Sequence, residues 1–333
     1  MLKKRITIAL LPMAILLTAG CSKTGTVLSG NGIVKYSVSV SDQDGSKAVL
    51  VNDEASFITQ TSGKFTCSAY NVTTGVSLYT NETVSYADGK WSTAAQYTWD
   101  NGTQMTFHAF APTTATGVSI AADGSGITVT DYSIADDGSA QTDLMLGYYS
   151  GFGTNGTATI KFEHPLTAVR LKMGDIAEFV PGFEKVTGIS IEGVAATGSL
   201  AKWNSGAFSW TSSATKKTVA LSVNAKPEKG TLMSDEAFTL IPVTSLSAAP
   251  AKITVSYSGT TSGAIVANIN SGAWEAGKVY TYTVNFKTMI LTIDDSGAVQ
   301  TWTTETIGTP IEADDTKSGR DTVTPEIYGQ DTI

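Results

Sequence analysis

Cysteine is almost absent from this chain: only Cys21 and Cys67 occur in 333 residues. At most one disulfide could form, so stability has to come from burial of apolar surface. Histidine is equally scarce, with His108 and His164 alone, far apart and with no second ligand at metal spacing. That argues against a histidine-built metal centre or acid–base site. Basic residues are outnumbered, 22 against 30 acids, and arginine appears only at positions 5, 170 and 320. An acidic chain without a basic patch is a poor partner for nucleic acid or for anionic lipid. The one conspicuous apolar run, Ile6–Leu17, is too short to span a bilayer, which takes about 20 residues. No G-x-S-x-G elbow, phosphate-binding glycine loop or H-E-x-x-H pattern is present, so no enzyme site and no cofactor are expected.

What the chain does have begins at its N-terminus. Lys3, Lys4 and Arg5 precede the apolar run, and small residues Ala19 and Gly20 lead into Cys21. A basic start, a short apolar core and a small-residue cut site describe an export signal. Leu17-Thr18-Ala19-Gly20-Cys21 resembles the bacterial lipobox, in which the cysteine thiol takes a diacylglyceryl group and the peptide is cut before it. Each buried lipid methylene contributes about 0.8 kcal/mol, so several acyl chains anchor firmly. Residues 1–20 are therefore read as a lipoprotein signal peptide and Cys21 as the lipidation site. Loss of Lys3, Lys4 and Arg5 with that peptide makes the formal net charge of −8 three units more negative. Lipidation of Cys21 would leave Cys67 with no partner for an internal bond.

Beyond the signal no stretch shows a sustained 3.6-residue apolar period. Glycine, serine and threonine are plentiful, and short alternating or β-branched runs recur, which is the pattern of strands and turns. Ile33–Val40 alternates from Val34, placing Val34, Tyr36, Val38 and Val40 on one face. Further strands are expected at residues 64–72, 104–110, 126–132, 157–162, 166–173, 187–192, 218–223, 238–243, 252–257 and 279–286. Asp88-Gly89, Asn101-Gly102 and Asn155-Gly156 supply the positive φ angles of tight hairpin turns. Many short strands with regular turn signals predict an all-β protein of antiparallel sandwiches. A sandwich over 21–163 and a second over 164–310 are expected, followed by a polar tail at 311–333.

The remaining candidates for chemistry are weak. Cys67 lies in a predicted strand and reads as a buried thiol. The adjacent acids Asp136-Asp137, Asp294-Asp295 and Asp314-Asp315 point to opposite faces if extended and cannot flank one bond. Asp42-Gln43-Asp44-Gly45 starts like a calcium loop but lacks its downstream bidentate glutamate, so it reads as a hairpin turn. Trp203, Trp210 and Trp274 are either core or a platform on which a sugar could stack.

Several segments together resemble the fimbrillin family, the subunits of type V pili. These are the lipobox, "MTFHAFAPTT" at 105–114, "DLMLGYYSG" at 143–151, and "ATIKFEHPLTAVRLKMG" at 158–174 with its Phe162-x-His164-x-Leu166 core. "FTLIPV" at 238–243 and "WEAGKVYTYTVNF" at 274–286 complete the set. The resemblance implies two transthyretin-like sandwiches in a structural subunit of a surface pilus, located at the cell outer membrane and its extracellular face and supporting adhesion. It also implies a lipid-anchored precursor whose first strand, here carrying Val34, Tyr36, Val38 and Val40, is removed by a protease. The vacated groove is then filled by an extended segment of the next subunit, an instance of β-augmentation. Family members are cut after arginine; the corresponding loop here offers Lys47. The donor strand would come from the C-terminal tail through Val323, Ile327 and Ile333. Partners implied are other pilus subunits, the membrane through the lipid, and an adhesion target. The competing reading, from another class, is a glycan-binding surface lipoprotein built of similar sandwiches, which requires aromatic side chains exposed on one face.

Overall fold

A computed structural model describes residues 32–40, 53–153, 156–175, 184–226, 228–260, 262–285, 290–293 and 299–301. In chain order the first half contains β1 (Gly32–Ile33), β2 (Lys35–Val40), α1 (Glu54–Gln60), β3 (Lys64–Asn71), β4 (Ser77–Ala87), β5 (Lys90–Thr93), β6 (Thr98–Trp99), β7 (Gln104–Ala111), β8 (Val118–Ile120), β9 (Ile127–Ser133), β10 (Met145–Phe152) and β11 (Thr157–Glu163). The second half contains β12 (Thr167–Met173), β13 (Lys185–Ala195), β14 (Thr197–Trp203), β15 (Trp210–Ser212), β16 (Lys216–Ala225), β17 (Phe238–Leu240), β18 (Ala251–Ser258), β19 (Gly263–Ile269), β20 (Lys278–Asn285), β21 (Ile290–Ile293) and β22 (Val299–Thr301). The protein is nearly all β, as the alternation and turn chemistry predict.

Seven strands hydrogen-bond in the order β10-β11-β2-β5-β4-β3-β7, and β7 returns to β10 to close the ring. Among the described residues four further sheets follow the orders β17-β12-β20-β21 with β22 also pairing β20, β1-β6, β16-β13-β18-β19 and β15-β14-β9-β8. The last of these joins β8 and β9, from before residue 163, to β14 and β15, from after it. Strand pairs among the described residues are antiparallel except β2 with β11 and β12 with β20. The turn at Asp88-Gly89 has φ of 51° and 74° and joins β4 to β5 with Ala87 opposite Lys90, the two-residue hairpin its sequence demands.

The ring's interior is aromatic. Phe65, Phe107, Phe162 and Trp99 are fully buried there. A second cluster gathers Val169, Phe238, Ile253 and Trp274 from the other sheets. α1, which the periodicity did not predict, is seven residues long and caps itself. The Ser56 N–H donates to Asp53 Oδ1 at 2.7 Å, and the Asp53 N–H donates to Ser56 Oγ at 3.0 Å. Its buried Phe57 enters the ring core. No helix of the described residues is long and apolar enough to cross a membrane.

His108 on β7 is buried and donates from Nε2 to the Gly124 carbonyl at 3.0 Å, while its Nδ1 meets no hydrogen-bond partner. Burial holds the imidazole pKa below its ordinary value, against a smaller opposing pull from that carbonyl. The unfolded chain therefore takes up the proton first as pH falls. The stability tied to a neutral His108 is complete above about pH 6.5 and drains away as pH drops through the folded-state pKa, at most about 1.4 kcal/mol per pH unit. Urea unfolding between pH 7.5 and 5 should show a shallower acid-side loss for His108→Gln than for the parent chain. Parallel slopes would exclude His108 as the group responsible.

Candidate functional site

The first strand carries the candidate residues Val34, Tyr36, Val38 and Val40, and its place in the fold is well defined. β2 runs parallel to β11 through six successive residue pairs, from Lys35–Thr157 to Val40–Phe162. Its other edge meets β5 at one pair only, Tyr36 with Trp91. That single pair is the seam that closes the ring. Val34, Tyr36 and Val38 are each 7% exposed, and Val40 is half-buried against the same core. The four residues that the alternation places on one face thus do face one core.

Beneath them lies a dense aromatic floor. The Tyr36 ring meets Phe65 edge-on at 6.4 Å, and Phe57 contacts Phe65, Trp91 and Phe162 at 6.2, 5.7 and 4.6 Å. Edge-to-face and tilted pairs at such separations are favourable contacts beyond their buried area. Trp91 is fixed by its indole N–H, which donates to Glu54 Oε1 of α1 at 2.8 Å. A short polar chain crosses this floor: the Tyr36 hydroxyl donates to that of Tyr79 at 2.8 Å, and Tyr79 stands 3.5 Å from Cys67 Sγ. Burial pushes both phenols well above their usual range and the Cys67 thiol up to about 12, so Cys67 stays protonated and unreactive.

The most characteristic sequence segment, Phe162-x-His164-x-Leu166, has a positional meaning. Phe162 belongs to the ring core and Leu166 to the second cluster, both fully buried. Between them His164 Nδ1 lies 2.8 Å from Asp143 Oδ2, with both side chains almost completely buried. Asp143 heads the segment that leads into β10, so the pair ties the starts and ends of neighbouring strands. β7, β10 and β11 are adjacent in the ring, and β17, β12 and β20 are adjacent in the second sheet. The separate sequence segments are thereby brought together in two places.

The other candidates are distributed as follows. Asp137 caps the short 3-10 turn at Gly138–Ala140, and Asp136 pairs with Lys217 at 2.8 Å, so this acid pair is structural. Trp203 and Trp274 are buried, while Trp210 is only half-buried. Arg170 is buried in β12, where burial lowers its pKa. Among the described residues no group of three or more His, Cys, Asp or Glu could hold a metal ion. Cys21, Lys47, Val323, Ile327 and Ile333 lie outside the described residues, as do Asp42–Gly45 and the acid pairs at 294–295 and 314–315. The periodicity missed α1, whose Asp53-x-x-Ser56 box was the available signal. It also missed Tyr79 and Trp91, which no local pattern assigns to the ring core.

No curated protein matches the chain. Among solved structures, a fimbrial protein from Bacteroides vulgatus superposes with a TM-score of 0.54 at 15% identity, covering 81% of this chain and 99% of that one. A putative cell adhesion protein from Bacteroides uniformis gives 0.52 at 18% identity, covering 82% and 98%. Another from Bacteroides ovatus gives 0.55 at 12% identity, covering 83% and 99%. At these identities the likeness speaks for the fold. The sequence itself matches the fimbrillin-like family model over residues 44–302, most of its length, and the chain belongs to that family.

Proposed function

We propose that this chain is a structural subunit of a bacterial surface pilus, exported as a lipoprotein through Cys21 and assembled by strand exchange. Family membership supports the pilus role, and the solved relatives described as fimbrial and cell adhesion proteins support adhesion at the cell surface. The observation that carries the exchange step is the seating of β2. Its side chains are core, yet β2 itself meets β5 at a single residue pair, and the residues before it are held by the Val34 N–H donating to the Tyr97 carbonyl at 2.9 Å and by two β1–β6 pairs. A strand so placed leaves an intact six-pair ladder edge on β11 and an aromatic trough when it departs. Main-chain pairing to that edge gives affinity, and alternate side chains in the trough give specificity. In this reading a protease cuts at Lys47, Val34, Tyr36, Val38 and Val40 leave together, and Val323, Ile327 and Ile333 of a neighbouring subunit take their place. An open sheet edge is an aggregation hazard until covered, and covering it with the next subunit makes a polymer.

The test is N-terminal sequencing and intact mass of the surface-displayed protein, alongside a Cys21→Ala variant labelled with a fatty acid. A mature form beginning beyond Val40 is expected in the polymer, with label incorporated by the precursor and absent from the variant. A pilus-incorporated form that retains an acylated Cys21 would refute strand removal, and label on the variant would refute Cys21 as the lipid site.

A further inference from the structure

A cleft of about 470 Å³ opens where Lys161, Glu163, Phe208, Trp210, Thr244 and Glu275 converge. That volume falls within the roughly 300–1,000 Å³ of small-molecule sites. Its construction is that of a preformed site. Trp210 is half-buried, and its indole N–H donates to the Pro165 carbonyl at 2.6 Å, which fixes the ring's orientation. The ring lies close over Gly198 of β14, where a Cβ would come within 2.5 Å of the Ile241 side chain and 3.1 Å of the indole; the glycine leaves room for both. Two walls are locked to each other, because Val243 and Trp274 exchange backbone hydrogen bonds at 2.8 and 2.9 Å. Phe208, also half-buried, is held by stacking on Trp203 at 5.3 Å.

The lining chemistry then narrows the ligand. Aromatic rings present flat apolar faces that suit the C–H faces of a pyranose. Around them stand carboxylate acceptors from Glu163 and Glu275, a hydroxyl from Thr244 and an ammonium donor from Lys161, the complement of a ring of hydroxyl groups. The carboxylates are already balanced by cations, Glu163 with Lys161 at 3.1 Å and Glu275 with Lys278, so the cleft offers no surplus positive charge. With the chain acidic as a whole, a carboxylated or sulfated ligand is disfavoured. We infer that this cleft is a binding site for a neutral saccharide, with Trp210 as its stacking platform and Glu275 and Glu163 as its hydroxyl acceptors. None of its lining residues belongs to β2, though Lys161 and Glu163 lie on β11, the strand that β2 pairs with.

The probe is a panel of neutral disaccharides (lactose, N-acetyllactosamine, maltose and cellobiose) presented to the full chain, with sialyllactose as the anionic counterpart. Binding is read by saturation-transfer NMR and tryptophan fluorescence. At least one neutral sugar should bind at millimolar concentration and more tightly than sialyllactose. Trp210→Ala and the exposed Glu275→Ala should each weaken it by about tenfold or more, the second with an unchanged melting curve. The inference fails if no neutral sugar in the panel binds, if sialyllactose binds as tightly, or if Glu275→Ala and Trp210→Ala both leave affinity unaltered.

Discussion

A chain cut between Val40 and Asp53, with its N-terminal fragment separated in denaturant, is expected to lose most of its stability on refolding. Val34, Tyr36 and Val38 are almost fully buried and Val40 partly so. At about 1.5–3 kcal/mol for each fully buried side chain, their withdrawal removes on the order of 5–10 kcal/mol. That matches the whole stability of an ordinary domain. The loss also uncovers Phe57, Phe65, Trp91 and Phe162, each at most 4% exposed in the closed ring. Calorimetry should register a fall in Tm of more than about 10 °C, or the fragment should self-associate through the vacated edge. Adding back a peptide of residues 31–40 should reverse either outcome, because it restores both the β11 ladder and the Tyr36–Tyr79 hydrogen bond. An unchanged Tm with an unchanged monomer would mean that β2 is not a structural strand.

The second large effect is expected at the buried Asp143–His164 contact. Removing one member of such a pair takes a close polar partner from the other in the interior, at a cost of about 3 kcal/mol or more. Asp143→Ala and His164→Ala should therefore each lower the urea midpoint substantially. Replacing both members with apolar residues, Asp143→Val with His164→Leu, should recover most of that loss, since both buried polar side chains are then gone. The coupling read from the double-mutant cycle is the quantity of interest. Single truncations costing under about 1 kcal/mol would show that packing of Phe162 and Leu166 alone holds this junction. Because those two side chains enter different cores, the pair sets how β11 hands the chain on to β12.

Strand positions were legible wherever burial alternates strictly. Lys35–Val40 could be read directly from Tyr36 and Val38, and Asp88-Gly89 announced its hairpin because few other residues tolerate two positive φ angles in succession. β4 could not be read in this way. Tyr79 and Val84 are both buried although four residues, an even number, lie between them, because an extra residue near Asn81, at φ 51°, shifts the register against β3. β14 repeats the effect, with Leu200 and Trp203 both buried across a register shift. α1 escaped a periodicity argument because seven residues hold too few turns to establish one, and only its capping pair marks it.

What the sequence by itself determined is the class of structure: strands from alternation, turns from glycine and aspartate, dependence on burial from the scarcity of cysteine, and a family from a handful of spaced segments. Each of these depends on residues near one another along the chain. Only the tertiary structure decided that β2 lies parallel to β11 and closes the ring at one residue pair, that Asp143 meets His164, and that Trp210 shares a cleft with Glu275. Those facts follow from contacts between distant segments, whose energies belong to the packed whole. Local pattern carries no record of which edge a strand will find, since the same alternating face could pair in any sheet until the cores around it are filled.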